Sequence, residues 1–263
     1  MHNDYPYEYE ICADMDQIGE STEHRNLEGF NILFYVTEAI GGLLILLVII
    51  WTAHFKGGFA WTSDPDLEFN WHPLLMTVGL VFLYANGMLI YRSQRTVRKR
   101  RLKLIHGGIM IFTVLLTVIA LVAVFDSHNL KTPPIPNMYS LHSWVGLTTI
   151  ILFCCQWLAG LVSFLYPMIQ PSLRAAYLPV HVYFGTAAFI GTIASCLMGL
   201  TEKAFFSIRN PSYDKFPAEG VLVNTIGLTL IIFGGLTVYL VSQARYKRFP
   251  QPEDDVLLTG RSK

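Results

Sequence analysis

The chain has 263 residues, of which 52% are hydrophobic and 14% are charged, and its formal net charge is zero. Soluble globular domains carry about 25% charged residues, so this low charge content excludes an ordinary soluble domain. Together with a mean hydropathy of +0.42, it favours an integral membrane protein, for which we expect no nucleic-acid partner.

Apolar stretches recur along the chain at the length that a membrane helix needs. A bilayer core requires about 20 apolar residues per helix. Six such stretches are predicted, at residues 31–53, 72–92, 104–125, 142–165, 180–200 and 220–243. We therefore predict an all-α fold, an integral membrane bundle of six helices that occupies residues 29–245.

The polar segments set the expected orientation. Residues 1–28 are acidic and carry no signal-peptide pattern, so the first span is expected to be retained. Basic residues concentrate between spans 2 and 3 and again after span 6, and these two segments share one side of an even-numbered bundle. Excess Lys and Arg marks the cytoplasmic side. We therefore expect both tails, residues 1–28 and 246–263, to be cytoplasmic.

Four histidines stand near the starts of consecutive apolar stretches: His72, His106, His142 and His181. The intervals between them are 34, 36 and 39 residues, about one span plus one loop each. Because neighbouring helices run in opposite directions, the first and third histidines approach one face and the second and fourth the other. Two pairs of facing imidazoles, one above the other, are typical of two bis-histidine haem sites.

Other chemistry fits this pattern less well. A closed zinc site needs three or four ligands on one atom, whereas each face offers only two imidazoles. The sequence has no C-x-x-C-H motif, so the haems would be b-type and not covalently attached. A proton or solute transporter that uses the histidines as a relay is the alternative. A flavin-linked reductase would need a nucleotide-binding unit, and no G-x-G-x-x-G string occurs.

The strings around these histidines resemble those of the cytochrome b561 family. They are residues 69–73 (FNWHP), 103–107 (KLIHG), 139–144 (YSLHSW), 172–175 (SLRA) leading to 179–181 (PVH), and 199–203 (GLTEK). The resemblance implies ascorbate-dependent electron transfer across a membrane, through two b haems between helices 2–5, and it suggests a homodimer. It also implies that His72 and His142 form the non-cytoplasmic pair, and His106 and His181 the cytoplasmic pair.

Ascorbate is a monoanion, so its site should offer positive charge beside the cytoplasmic haem. Lys103 and Lys99 precede the second histidine by three and seven residues, which places them on its helical face. Arg174 precedes the fourth histidine by seven residues, and Arg92 lies in a string that resembles the family's ascorbate motif. We predict that these four cations bind ascorbate. The alternative is that they only satisfy the cytoplasmic bias for basic residues.

The acceptor should bind at the other face, beside the other haem. The loop between spans 3 and 4 carries His128, Asn129 and Tyr139, which we predict to line that site. A histidine there can bind a metal or pass a proton, because it titrates near neutral pH. A solvated loop histidine and an interfacial tyrosine are the alternatives. Family members reduce ferric iron chelates or the monodehydroascorbate radical, and the sequence does not separate these acceptors.

The C-terminal tail carries one sorting hint. Residues 253–258 (EDDVLL) match an acidic dileucine pattern that endosomal sorting machinery reads, although a solvated tail is the default for a polar terminus. We therefore expect an endolysosomal, secretory-vesicle or plasma membrane location.

Overall fold

The structure, a computed structural model, describes residues 27, 29–166 and 169–248. Within these residues, six helices are long and apolar enough to cross a membrane, which confirms the predicted all-α bundle. We number them α1 Phe30–Phe55, α2 Pro65–Ser93, α3 Lys99–Asn129, α4 Leu141–Leu165, α5 Pro171–Ser207 and α6 Ala218–Ser242. The predicted tails lie almost wholly outside the described residues, and so does the dileucine pattern at 253–258.

The helices pack as neighbouring pairs. α2 packs along α3 and α4 along α5, while α1 packs along α6, which also contacts α2 and α5. Gly41 lets α1 approach its neighbours, because a methyl group there would lie 2.6 Å from the ring of Phe82 and 2.7 Å from that of Phe233. Small residues allow such close crossings in membranes. The four helices that carry the paired histidines therefore adjoin one another, with α1 and α6 along one side.

The outer surface of the bundle is apolar. Exposed side chains include Leu46 on α1, Phe112 on α3, Ile151 on α4, Ile190 on α5 and Ile231 on α6. Contiguous apolar surface of this kind is rare on soluble proteins, whereas helices in hydrocarbon present it to lipid. The chain is therefore a multi-pass membrane protein.

Two helices extend well beyond the predicted spans. α3 begins at Lys99 rather than at 104, and α5 begins at Pro171 rather than at 180, with Pro179 inside the helix. Hydropathy marks only the apolar part of a helix, whereas its turns continue into the interface, where cations keep their charged ends in water. Proline is tolerated inside membrane helices. His106 and His181 consequently lie about two and three turns into their helices, not at the starts.

The two basic segments meet at one end of the bundle, which we call the basic end (residues 92–103 and 243–248). The guanidinium of Arg95 donates to the carbonyl of Tyr246 at 2.7 Å, and Nε of Arg248 donates to the carbonyl of Arg95 at 3.0 Å. Tyr246, the first residue of the predicted C-terminal tail, is buried against Phe30, with ring centroids 5.2 Å apart. Both segments thus lie on one side of the bundle, as expected for an even number of spans.

Candidate functional site

His72 and His142 face each other near the end of the bundle opposite the basic end. His142 is the second residue of α4, whose start is fixed by a capping box between Ser140 and Ser143. The two imidazole rings have centroids 6.2 Å apart and planes inclined at 84°. The structure therefore brings together the first and third of the four histidines.

His106 and His181 form a second facing pair, nearer the basic end. Their ring centroids are 6.4 Å apart and their planes are inclined at 75°. Aromatic rings surround this pair: Tyr91 lies 5.6 Å from the ring of His106, and Phe164 and Tyr177 lie 5.3 and 6.1 Å from that of His181. The second and fourth histidines thus share a site lined by aromatic rings.

Backbone carbonyls orient three of the four imidazoles. The Nδ1 contacts are His72 with Ala120 at 3.2 Å, His106 with Gly87 at 2.7 Å and His142 with Ser195 at 2.8 Å. Because a carbonyl oxygen only accepts, Nδ1 of each ring carries the proton and Nε2 keeps a lone pair. Metal-binding histidines are typically held in this way. Nδ1 of His181 is buried, with no hydrogen-bond partner among the described residues.

The separation of the rings within each pair fits two imidazoles on opposite sides of one metal ion. An imidazole nitrogen binds a transition metal at about 2.0–2.1 Å and lies about 1.1 Å from the ring centre, so opposed rings have centres about 6.3 Å apart. Two ligands of a tetrahedral zinc ion would bring the centres to about 5.1 Å. The observed 6.2 and 6.4 Å are close to the separation expected for two imidazoles on opposite sides of one metal ion, so each pair would fit a haem iron between its rings.

Two glycines make room for the imidazoles. A methyl group on Gly199 would lie 2.8 Å from Cε1 of His142, and one on Gly160 would lie 3.0 Å from Cε1 of His181. Contacts this short would force the rings to move. The absence of a side chain at these two positions therefore allows α4 and α5 to pack against each other's histidine.

Aromatic residues fill the bundle between the two histidine pairs. Tyr84 lies 4.7 Å from Phe153 and 5.6 Å from Phe189, and all three are buried. The Tyr84 hydroxyl donates to the carbonyl of Gly185 at 2.7 Å, which satisfies it within the apolar interior. Packed aromatic side chains therefore lie between the two histidine pairs.

A cavity of about 490 Å³ opens beside His72 and His142, within the usual range of about 300–1,000 Å³ for ligand sites. Its inner wall is apolar. Its mouth is polar and includes Asp66, His128, Lys131, Ser140, Glu202 and Lys203. The cavity therefore suits a large and mainly apolar group whose polar edge reaches the mouth. Among the described residues, no group of three or more His, Cys, Asp or Glu side chains converges on one point as a metal site.

The predicted ascorbate residues are at the basic end, with different contacts. Nζ of Lys103 donates to the carbonyl of Phe164, beside His181, at 3.1 Å. Lys99 is half-buried at the start of α3, and Nε of the half-buried Arg174 has no hydrogen-bond partner among the described residues. The guanidinium of Arg92 donates to two carbonyls at the end of α6, so it is engaged in holding that end.

The predicted acceptor residues lie near the mouth of the cavity. His128 and Tyr139 line it, whereas Asn129 does not. Asn137 connects two of them: its Nδ2 donates to Oδ1 of Asn129 at 2.7 Å, and its Oδ1 lies 3.1 Å from Nδ1 of His128. Tyr139 is 58% exposed, which leaves its ring accessible from outside.

Several residues of the two sites were not predicted. No sequence feature identified Phe164 and Tyr177, because an aromatic residue in an apolar helix usually belongs to the core. Lys203 lines the cavity and could have been identified, since it is the last residue of the string 199–203, which resembles a string of the family.

Comparisons with known proteins agree with this geometry. A family described as eukaryotic cytochrome b561 matches residues 71–207, a range that contains all four paired histidines. The chain is 45% identical over 226 residues to the plasma membrane ascorbate-dependent reductase CYBRD1 of Rattus norvegicus, covering 85% of this chain and 78% of that protein.

Two human proteins are also similar. The transmembrane ascorbate-dependent reductase CYB561 of Homo sapiens is 40% identical over 226 residues, covering 85% of this chain and 88% of that protein. The lysosomal membrane ascorbate-dependent ferrireductase CYB561A3 of Homo sapiens is 40% identical over 218 residues, covering 81% of this chain and 88% of that protein.

Proposed function

The chain belongs to the eukaryotic cytochrome b561 family, and we propose that it carries electrons across a membrane from ascorbate to an acceptor on the other side. The relatives named as ascorbate-dependent reductases support ascorbate as the donor. The same comparisons give no support to the transporter alternative. The chain is thus a transmembrane oxidoreductase in this proposal, and neither a pump nor a channel.

Members of this family are b-type cytochromes, so the chain binds haem b. We propose two haems, one held by His72 and His142 and the other by His106 and His181. The observation that carries the proposal is the separation of 6.2 and 6.4 Å between opposed rings, since it leaves space for one metal ion in each pair. When bound, haem b supplies an iron that alternates between ferric and ferrous states and carries one electron at a time.

The protein contributes orientation of the ligands and separation of the two sites. Hydrogen bonds from Nδ1 to backbone carbonyls fix the tautomer and the ring plane of three ligands. A haem iron held by both imidazoles of a pair would have no open position left for oxygen or for a substrate. Donor and acceptor would therefore exchange electrons at the edge of each site, without binding the metal.

The donor site in this proposal is the basic end, beside His106 and His181. Lys99, Lys103 and Arg174 supply the positive charge that an ascorbate monoanion needs. The bias of cytoplasmic segments towards Lys and Arg supports a cytoplasmic basic end, and with it cytoplasmic tails at residues 1–28 and 246–263. We also propose that the protein is a homodimer and that it lies in an endolysosomal, secretory-vesicle or plasma membrane.

The acceptor site in this proposal is the mouth of the cavity beside His72 and His142, with His128, Asn129 and Tyr139 around it. The acceptor is either a ferric iron chelate or the monodehydroascorbate radical. One relative is named a ferrireductase, which favours the chelate. With haem b in the cavity, a ferric chelate would contact the protein at the exposed ring of Tyr139 and at the polar mouth.

An absorption spectrum of the purified protein, before and after addition of ascorbate, tests the proposal. The expected result is the spectrum of haem b with both axial positions filled, which changes to the reduced form when ascorbate is added. A colourless protein would exclude the haem ligand assignment, and a coloured protein that ascorbate does not reduce would exclude the donor.

A further inference from the structure

Three lysines lie at the end of the bundle that holds the cavity, and two of them have carboxylate partners. Lys131, which lines the cavity, pairs with Asp66, and Lys56, which does not line it, pairs with Glu219. Lys203 differs, because its ammonium lies over the ring of Phe69, 3.6 Å from the ring centroid. Its chain neighbour Glu202 accepts a hydrogen bond from Oγ of Ser140 at 3.0 Å. Glu219, Asp66 and Glu202 are therefore each engaged by another residue.

The position of Lys203 is partly shielded from water and close to the histidine pair. Its side chain is half-buried and lines the cavity. The ring of Phe69 that it covers lies 6.1 Å from the ring of His72. An ammonium that loses hydration is usually compensated by an anion, and a ring face compensates it only in part. Lys203 is thus placed to receive a negative group from a molecule in the cavity.

We propose that Lys203 binds a carboxylate at the mouth of the cavity, a role that rests on the function proposed above. An ammonium and a carboxylate form a strong, charge-assisted hydrogen bond, and the apolar wall behind Lys203 strengthens it by excluding water. Two molecules can supply the carboxylate: the haem b held by His72 and His142, or a carboxylate-bearing ferric chelate that docks outside it. In either case the positive charge matters more than the shape of the side chain.

Three variants separate charge from shape. Lys203→Gln removes the charge at similar length, and Lys203→Arg keeps it. Lys215→Gln is the matched control, because Lys215 is exposed on the loop between α5 and α6, at the same end of the bundle. Each variant is produced as the full chain and compared with the unmodified protein.

The first measurement tests haem as the source of the carboxylate. It determines the haem content per chain and the midpoint potential of each b-type centre. If haem is the source, Lys203→Gln loses haem from one site or lowers the midpoint potential of one centre, and Lys203→Arg restores the normal value.

The second measurement tests the acceptor as the source. It compares KM for ferric citrate with KM for ferric tris-maltol, which has no carboxylate. If the acceptor is the source, Lys203→Gln raises KM for ferric citrate about tenfold and leaves that for tris-maltol unchanged, as expected for loss of a charged hydrogen bond.

Two outcomes would overturn the proposal. In one, Lys203→Gln behaves like Lys215→Gln in both measurements. In the other, Lys203→Arg is as defective as Lys203→Gln, which includes the case in which neither variant retains haem. The shape of the side chain, and not its charge, would then be essential. Failure of the proposed function would be seen differently, as an unmodified protein without haem absorption or without reduction by ascorbate.

Discussion

The imidazole rings of His72 and His142 lie 6.2 Å apart and nearly perpendicular, although α2 supplies one and α4 the other. Each ring is tied through Nδ1 to a carbonyl of a third or fourth helix, at Ala120 on α3 and Ser195 on α5. Four helices thus determine the separation of one pair. Substitutions of the two histidines of one pair should therefore affect the same site.

Single alanine substitutions of the four histidines should fall into two classes. Removing either ligand of a pair abolishes that haem site, while the aromatic side chains around Tyr84 separate it from the other pair. We expect haem content to fall from two per chain to one, and His72→Ala and His142→Ala to leave the same residual spectrum. His106→Ala and His181→Ala should leave the other spectrum. If His72→Ala and His106→Ala left identical spectra, the pairing would be wrong.

Gly199→Ala should impair the site of His142. The added methyl group would lie 2.8 Å from the imidazole, and overpacking of this kind costs about 1–3 kcal/mol or displaces the ring. We expect loss or weakening of one haem, measured as haem per chain after purification. Gly235→Ala on α6 is the control, because nothing lies within 4 Å of a methyl group there. Equal haem content in the two variants would contradict the close contact at Gly199.

Lys103→Ala should raise KM for ascorbate. Loss of a charged hydrogen bond to a bound anion costs about 1.5–3 kcal/mol, so KM for ascorbate should rise roughly tenfold or more. The rate of haem reduction at varied ascorbate concentration measures this. Arg101→Ala is the control, since Arg101 is exposed on the same turn of α3 and carries the same charge. An unchanged KM in Lys103→Ala, or an equal rise in Arg101→Ala, would remove Lys103 from the donor site.

Arg92→Met should lower the stability of the protein and leave KM for ascorbate nearly unchanged. The guanidinium of Arg92 donates to the carbonyls of Val241 and Gln243 where α6 ends, and the Gln243 carbonyl also accepts from the backbone N–H of Tyr246 at 3.2 Å. The expected cost is about 1.5–3 kcal/mol, seen as a lower thermal midpoint with KM for ascorbate close to normal. The reverse result, a raised KM at normal stability, would place Arg92 in the donor site as the family resemblance suggests.

The six spans and the histidine pairs were predictable because both follow from simple geometry. Hydropathy identifies the apolar stretches that are long enough to cross the bilayer. Because successive helices alternate in direction, His106 and His181 are predicted to lie on the same side. Helix ends were less predictable, because turns outside the hydrocarbon core are stabilised by capping and by tertiary contacts that hydropathy does not measure. α5 is the clearest case, since it continues through Pro179.

The details of the two sites depend on contacts between helices that a single sequence does not encode locally. Gly199 and Gly160 are two glycines among many, and only the packing of α4 on α5 shows that they adjoin imidazoles. The same holds for the carbonyl of Gly87, since every residue has a carbonyl. Charge indicated the cations of the basic end, Lys103 and Arg92 among them, but it did not show that the guanidinium of Arg92 donates to carbonyls where α6 ends.

Electron transfer across a closed membrane is the central claim, and sealed vesicles test it directly. Haem-loaded protein is placed in vesicles filled with ferricyanide, a membrane-impermeant one-electron oxidant, and ascorbate is added outside. We expect the trapped ferricyanide to lose its colour at a rate proportional to the amount of protein, and to keep it with His142→Ala or His181→Ala. Unmodified protein that is reduced by external ascorbate and yet leaves the trapped ferricyanide oxidised would contradict the claim.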